Sequence, residues 1–86
     1  MENLGINQIE LGRIYNGEIT QGMVMQVEFK KKFNKRPTVM VSTFYPYSKN
    51  FYVNLNILNV TSNGFEIYIT YASTNFSPSF NWIAIS

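Results

Sequence analysis

Eighty-six residues with a net charge of +2 allow one domain with a small core. The chain has no Cys, His or Asp, and its five acidic residues are all Glu. That excludes disulfides and Cys/His zinc sites, and it argues against a calcium cage and against catalysis by His or by a converging carboxylate pair.

Charged residues make up 14% of the chain and aromatic residues 16%, against the roughly 25% charge usual for soluble domains. So many rings on so small a chain point to burial between subunits, and a homo-oligomer is the expected stabiliser. Residues 1–11 read as an N-terminal segment or the end of a stalk, and residues 12–86 as the domain. "MENLGINQIELG" lacks the basic start and apolar stretch of a secretory signal. No run approaches the roughly 18 apolar residues of a bilayer span, so membrane insertion is not expected.

Turn signals at "YNG", "TQG", "NKRP", "YPYSKN", "TSNG" and "STNFSPS" divide the chain at regular intervals. Strands are predicted near 12–19, 23–33, 38–44, 51–60, 64–72 and 79–86. Helix is expected nowhere outside residues 2–10. Six short strands at this spacing predict an all-β sandwich or barrel.

Period-two alternation gives the faces. Val27 and Phe29 share one face, matched by Val39 and Val41. In the fourth strand Phe51, Val53, Leu55 and Ile57 point one way, and Tyr52, Asn54 and Asn56 the other. In the fifth, Phe65, Ile67, Ile69 and Tyr71 share the core face. "SNG" (62–64) supplies residues tolerant of positive φ for a hairpin between strands four and five. In the last strand Phe80, Trp82 and Ala84 share one face and Ile83 and Ile85 the other. A strand apolar on both sides is either central in a sandwich or lies against another subunit, and the small domain favours the second.

The five Glu (2, 10, 18, 28 and 66) are scattered, and Ser and Thr have no His base, so no enzyme and no cofactor is expected. "FKKKFNKRP" (29–37) holds five of the seven basic residues: Lys30, Lys31, Lys32, Lys35 and Arg36. It reads either as a polyanion patch or, as the plainer reading, as a solvated strand end and turn. With so small a net charge, nucleic acid is not the expected partner.

Tyr52, Asn54 and Asn56, with Tyr71, Asn75 and Phe76 around the last loop, form an aromatic and amide set. Rings cover the apolar face of a pyranose, and amides pair with its hydroxyls. The same residue types fill subunit interfaces. The interface reading is preferred for Asn54 and Asn56, while the loop residues suit both. Asn59-Val60-Thr61 matches a glycosylation sequon at a strand end where Asn and Thr are common anyway.

From residue 13 to 85 the order of features resembles the H-type lectin domain. The likeness rests on "NGEI" (16–19), "FKKKFNKRPTV" (29–39), "VNLNILNVTSNGFEI" (53–67) and "WIAI" (82–85), and covers about five-sixths of the chain. It is nearest to the versions in phages of Gram-positive bacteria. The resemblance implies a six-stranded antiparallel β-sandwich assembled as a homotrimer, with saccharide sites in clefts between subunits. It implies a tail fibre or baseplate protein, joined to the rest of that protein on its N-terminal side, in the virion and facing outward to the host cell surface.

Site residues follow position by position. Tyr52 stands where the agglutinins of the family carry a sugar-contacting Arg, Tyr71 and Ala72 align near a Trp-His pair, and Phe76 falls near a Tyr. The family's Asp-bearing loop is replaced by the direct connection "TQGMVMQ". The expected carbohydrate-binding set is therefore Tyr52, Tyr71, Asn75 and Phe76, and the expected trimer contacts are Asn54, Asn56, Trp82 and Ile83. The alternative function is a trimerisation and capping domain with no ligand.

Overall fold

A computed structural model describes residues 8–15, 18–44, 53–72 and 79–86. Six strands run in chain order: β1 (Ile9–Tyr15), β2 (Val24–Glu28), β3 (Thr38–Phe44), β4 (Val53–Leu58), β5 (Gly64–Ala72) and β6 (Ser79–Ile85). They form two three-stranded sheets, ordered β1-β6-β3 and β2-β5-β4, with every pair antiparallel.

Alternation places the core between the sheets, as the period predicts. Phe65, Ile67 and Ile69 of β5 face Phe80, Trp82 and Ala84 of β6, and all six are buried. Met25, Ile19, Phe29 and Phe33 complete the cluster, with Val27, Val39, Val41, Val53, Leu55 and Ile57 packed against it. Four rings meet at its centre: Phe65 is 5.4 Å from Trp82, and Phe29 lies within 5.8 Å of Phe33, Phe65 and Trp82, centroid to centroid.

The strand reading departs from the structure in three places. β1 starts at Ile9, three residues before the predicted start, because Ile9, Glu10 and Leu11 pair with Ile85, Ala84 and Ile83. Paired amides of Gln8 and Ser86 extend the ladder. The strand hides from pattern reading because its large residues face outward while Gly12 faces the Trp82 ring. Ile19, predicted in the same strand, is instead a buried, isolated bridge residue just before the turn at 21–22.

β2 ends at Glu28, and residues 29–37 form a loop closing one end of the sandwich. Phe29 and Phe33 are both buried, while Lys31, which would share their face in a strand, is exposed. β6, apolar on both faces, is the central strand of its sheet, with Phe80, Trp82 and Ala84 toward the core and Ile83 and Ile85 on the outer face.

The turn between β4 and β5 also differs from expectation. The positive φ belongs to Asn59 (52°), whose amide donates to Glu66, rather than to "SNG". Gly64 opens β5 and serves a different purpose, the close approach of β2.

Candidate functional site

The topology sorts the chain into two ends. Tyr15, Phe44, Val53, Ala72 and Ser79 terminate their strands at one end, where Tyr15 and Phe44 both pair with Ser79 and Val53 pairs with Ala72. β1, β3 and β5 end on this side, and β2, β4 and β6 begin on it. The loop 29–37, the turn 59–63, Gln8 and Ser86 lie at the other. The described strands that flank Tyr52, Asn75 and Phe76 in sequence thus stop or start at the end where Tyr71 stands. Tyr52, Asn75 and Phe76 themselves lie outside the described residues.

Tyr71 is placed by a β-bulge. Asn54 pairs with Tyr71 but Leu55 pairs with Ile69, so β5 carries one residue more than β4 at Thr70. The Thr70 hydroxyl donates to the Asn54 carbonyl at 3.0 Å, spanning the irregularity. Beyond it the alternation changes phase: Ala72 packs against the core and Tyr71, predicted to face inward, turns out and is 39% exposed. The ring stands at the rim of the sandwich beside the last pair of the β4–β5 ladder.

The residues expected at a subunit contact separate onto three surfaces. Asn54 and Asn56 are exposed on the outer face of the β2-β5-β4 sheet, with half-buried Tyr68 paired to Asn56. The same face carries an amide and carboxylate cluster, in which Gln26 and Asn59 donate to the two oxygens of Glu66. Trp82 is 7% exposed and belongs to the intramolecular core, so its ring is spent inside the subunit. Ile83 is half-buried on the opposite outer face, that of β1-β6-β3.

On that face Leu11, Ile83 and Met40 form one row of paired residues, with Ile9 and Ile85 in the next. Leu11 is 70% exposed, Ile9 56% and Met40 52%. A hollow of about 300 Å³ lies over the row, bounded by Leu11, Met40, Ser42 and Asn81. Asn54 and Ile83 therefore point away from each other across the sandwich.

A second groove, of about 380 Å³, separates the open edges of β1 and β2 and includes Glu10, Arg13, Gln26, Glu28 and Trp82 in its lining. Glu10, Arg13 and Gln26 in its lining are engaged in holding the fold. Both Glu10 oxygens accept from the Lys30 amide at 3.0–3.1 Å, and Arg13 Nε donates to Asn81 Oδ1 at 2.8 Å.

Of the features at the exposed rim, sequence reasoning found Tyr71 by residue type but missed its cause. Thr70 sits in the unbroken alternation "FEIYIT", and only the three-residue step from Ile69 to Ala72, both inward, marks the bulge.

A model of the H-type lectin domain matches residues 24–85, from the first residue of β2 to the last of β6 and well over half of the chain. No curated protein matches the chain.

Proposed function

Because the chain belongs to the H-type lectin domain family, we propose that it is a receptor-binding domain of a phage or prophage tail fibre or baseplate protein. It recognises host cell-surface saccharide at clefts between the subunits of a homotrimer. The family is in general non-enzymatic and binds carbohydrate. The observation that carries the reading is the bulge that turns Tyr71 out of the core, at the end of the sandwich from which the segments bearing Tyr52, Asn75 and Phe76 depart. A half-exposed ring covers the apolar C–H face of a pyranose, and neighbouring amides pair with its hydroxyls. The domain sits on the virion, outward-facing, with the rest of the tail protein on its N-terminal side.

A glycan array of cell-wall polysaccharides from Gram-positive hosts, followed by calorimetry, tests this. The expected result is binding at millimolar concentration or tighter, with Tyr71→Ala weakening it roughly tenfold or more, the equivalent of one aromatic contact, at unchanged solution mass. No binding to any saccharide on the array defeats the proposal.

The trimer rests on a different observation, the apolar row Leu11–Ile83–Met40. An exposed patch of this kind on a small sheet marks an interaction face, and a closed ring of three subunits buries it without leaving an open edge. In this reading the threefold axis runs beside Ile83, while Asn54 and Asn56 lie on the outer wall. Light scattering should give three subunits for the native chain. Ile83→Arg should give a folded single subunit of 10.0 kDa, because the charge is buried only in the assembly. A native chain that is already monomeric would remove the trimer. The same face supports the alternative, a trimerisation and capping domain with no ligand, and that reading gains if Tyr71→Ala leaves cell adsorption intact.

A further inference from the structure

The loop 29–37 lies at the end of the sandwich away from Tyr71 and is built as a rigid display of positive charge. Its two phenylalanines plug the core, with Phe33 1% exposed and the rings 4.8 Å apart at 66°. Bringing residues 29 and 33 together forces Lys30, Lys31 and Lys32 onto the crest between them, and all three are exposed.

Neighbouring segments hold the backbone of this crest from two sides. The Phe29 and Phe33 amides donate to the Asn63 and Ser62 carbonyls at 2.9 and 2.8 Å. Both oxygens of Glu10 accept from the Lys30 amide, and Gln8 Nε2 donates to the Lys31 and Lys32 carbonyls at 3.3 Å. Glu10 is the nearest carboxylate in this network, and it is occupied by backbone N–H groups rather than ammonium groups. Lys35 and Arg36 add two exposed cations on the same loop. A solvated edge guard has no need of such anchoring. Fixed spacing lowers the ordering cost of meeting a charged chain.

We propose that this loop binds a linear phosphate-bearing polymer, with Lys30, Lys31 and Lys32 as the principal contacts and Lys35 and Arg36 extending the track. The phosphate backbone alone is the recognised chemistry. A single-stranded nucleic acid binder needs stacking platforms, and here both loop rings are turned into the core, leaving no base-reading surface on the crest. The inference is independent of the saccharide reading, because it uses the opposite end of the molecule.

Calorimetry of the full chain with long-chain inorganic polyphosphate tests it, with oligothymidylate of equal phosphate number run in parallel. Three to five neutralised phosphates predict an affinity that falls on the order of 10- to 100-fold between about 50 and 200 mM salt. The Lys30→Gln/Lys31→Gln/Lys32→Gln variant should lose at least roughly tenfold at low salt while keeping the native unfolding midpoint. These lysines are exposed, so the variant folds. Absence of polyphosphate binding at low salt, or a triple variant within about twofold of native, overturns the proposal. Oligothymidylate bound more than about tenfold tighter than polyphosphate overturns it in favour of a nucleic-acid module. Equal or weaker oligothymidylate binding supports it.

Discussion

Trp82→Ala is expected to lower the stability of the domain by about 3–5 kcal/mol, the usual consequence of deleting a buried ring. Trp82 is the point where the two sheets meet. Its indole touches Phe29 from the basic loop and Phe65 from β5, and its edge lies against the Gly12 backbone of β1. Phe65 and Gly12 are held by strand pairing, so collapse into the void is limited to side-chain shifts such as that of Phe29. An 86-residue domain has a total stability on the order of 4–13 kcal/mol, so the loss is a large share of the whole. In thermal unfolding the midpoint should fall by at least about 12 °C. The adjacent Ile83→Arg should behave oppositely, changing solution mass while the subunit keeps its fold. A Trp82→Ala protein with a native midpoint would refute the placement of this ring in the core. If it also dissociated to single subunits, Trp82 would be the interface residue that sequence reasoning took it for.

The contrast between those neighbours shows where the sequence was readable. Alternation located β3, β5 and β6 to within a residue, because Val39 and Val41, Phe65, Ile67 and Ile69, and Phe80, Trp82 and Ala84 each form a run on the core face. It also separated Trp82 from Ile83, yet it had no means of saying which face met the other sheet. That depends on how the two sheets stack, which is a long-range property. β1 was misplaced for a related reason. Its exposed face holds Ile9 and Leu11 while its inner face holds Gly12, the reverse of the usual pattern, so amphipathicity points the wrong way. The Phe29–Phe33 loop was read as strand because a spacing of four also fits period two, and only the charge at Lys31, on what would be the same face, argues against it.

The candidate site was less readable still. Tyr71 was picked out by its chemistry, while the period assigned it to the core. What exposes it is a single extra residue at Thr70, a defect in pairing that leaves no signature in composition. Residue types therefore suggested what the rim could bind. The register between β4 and β5, invisible in the sequence, decides that the ring faces outward there.

Gly64→Ala should be the other severe substitution, for a reason unrelated to conformational freedom. A Cβ at Gly64 would lie 2.1 Å from the Val27 carbonyl oxygen, 3.1 Å from its carbon and 3.2 Å from Glu28 Cα. All three are backbone atoms of the partner strand, so no rotamer change relieves the contact, and β2 must move away from β5 at the Glu28–Gly64 pair. The cost is expected at or above the upper end of the about 1–3 kcal/mol typical of overpacking. Gly22→Ala is the informative comparison. Its surroundings are open, but its φ of +91° strains any side chain, at about 1–2 kcal/mol.

Urea unfolding should therefore rank Gly64→Ala as the less stable of the two. The reverse order would show that β2 sits farther from β5 than described. The clash also has a directional consequence. The ladder it disrupts continues through the Phe29 amide to Asn63 and so into the anchored lysine loop. Under conditions where Gly64→Ala remains folded, polyphosphate affinity should drop while saccharide binding at the Tyr71 end changes less. If both fell together, the two ends of the sandwich would not be independent, and a separate anchoring of the lysine crest would lose its basis.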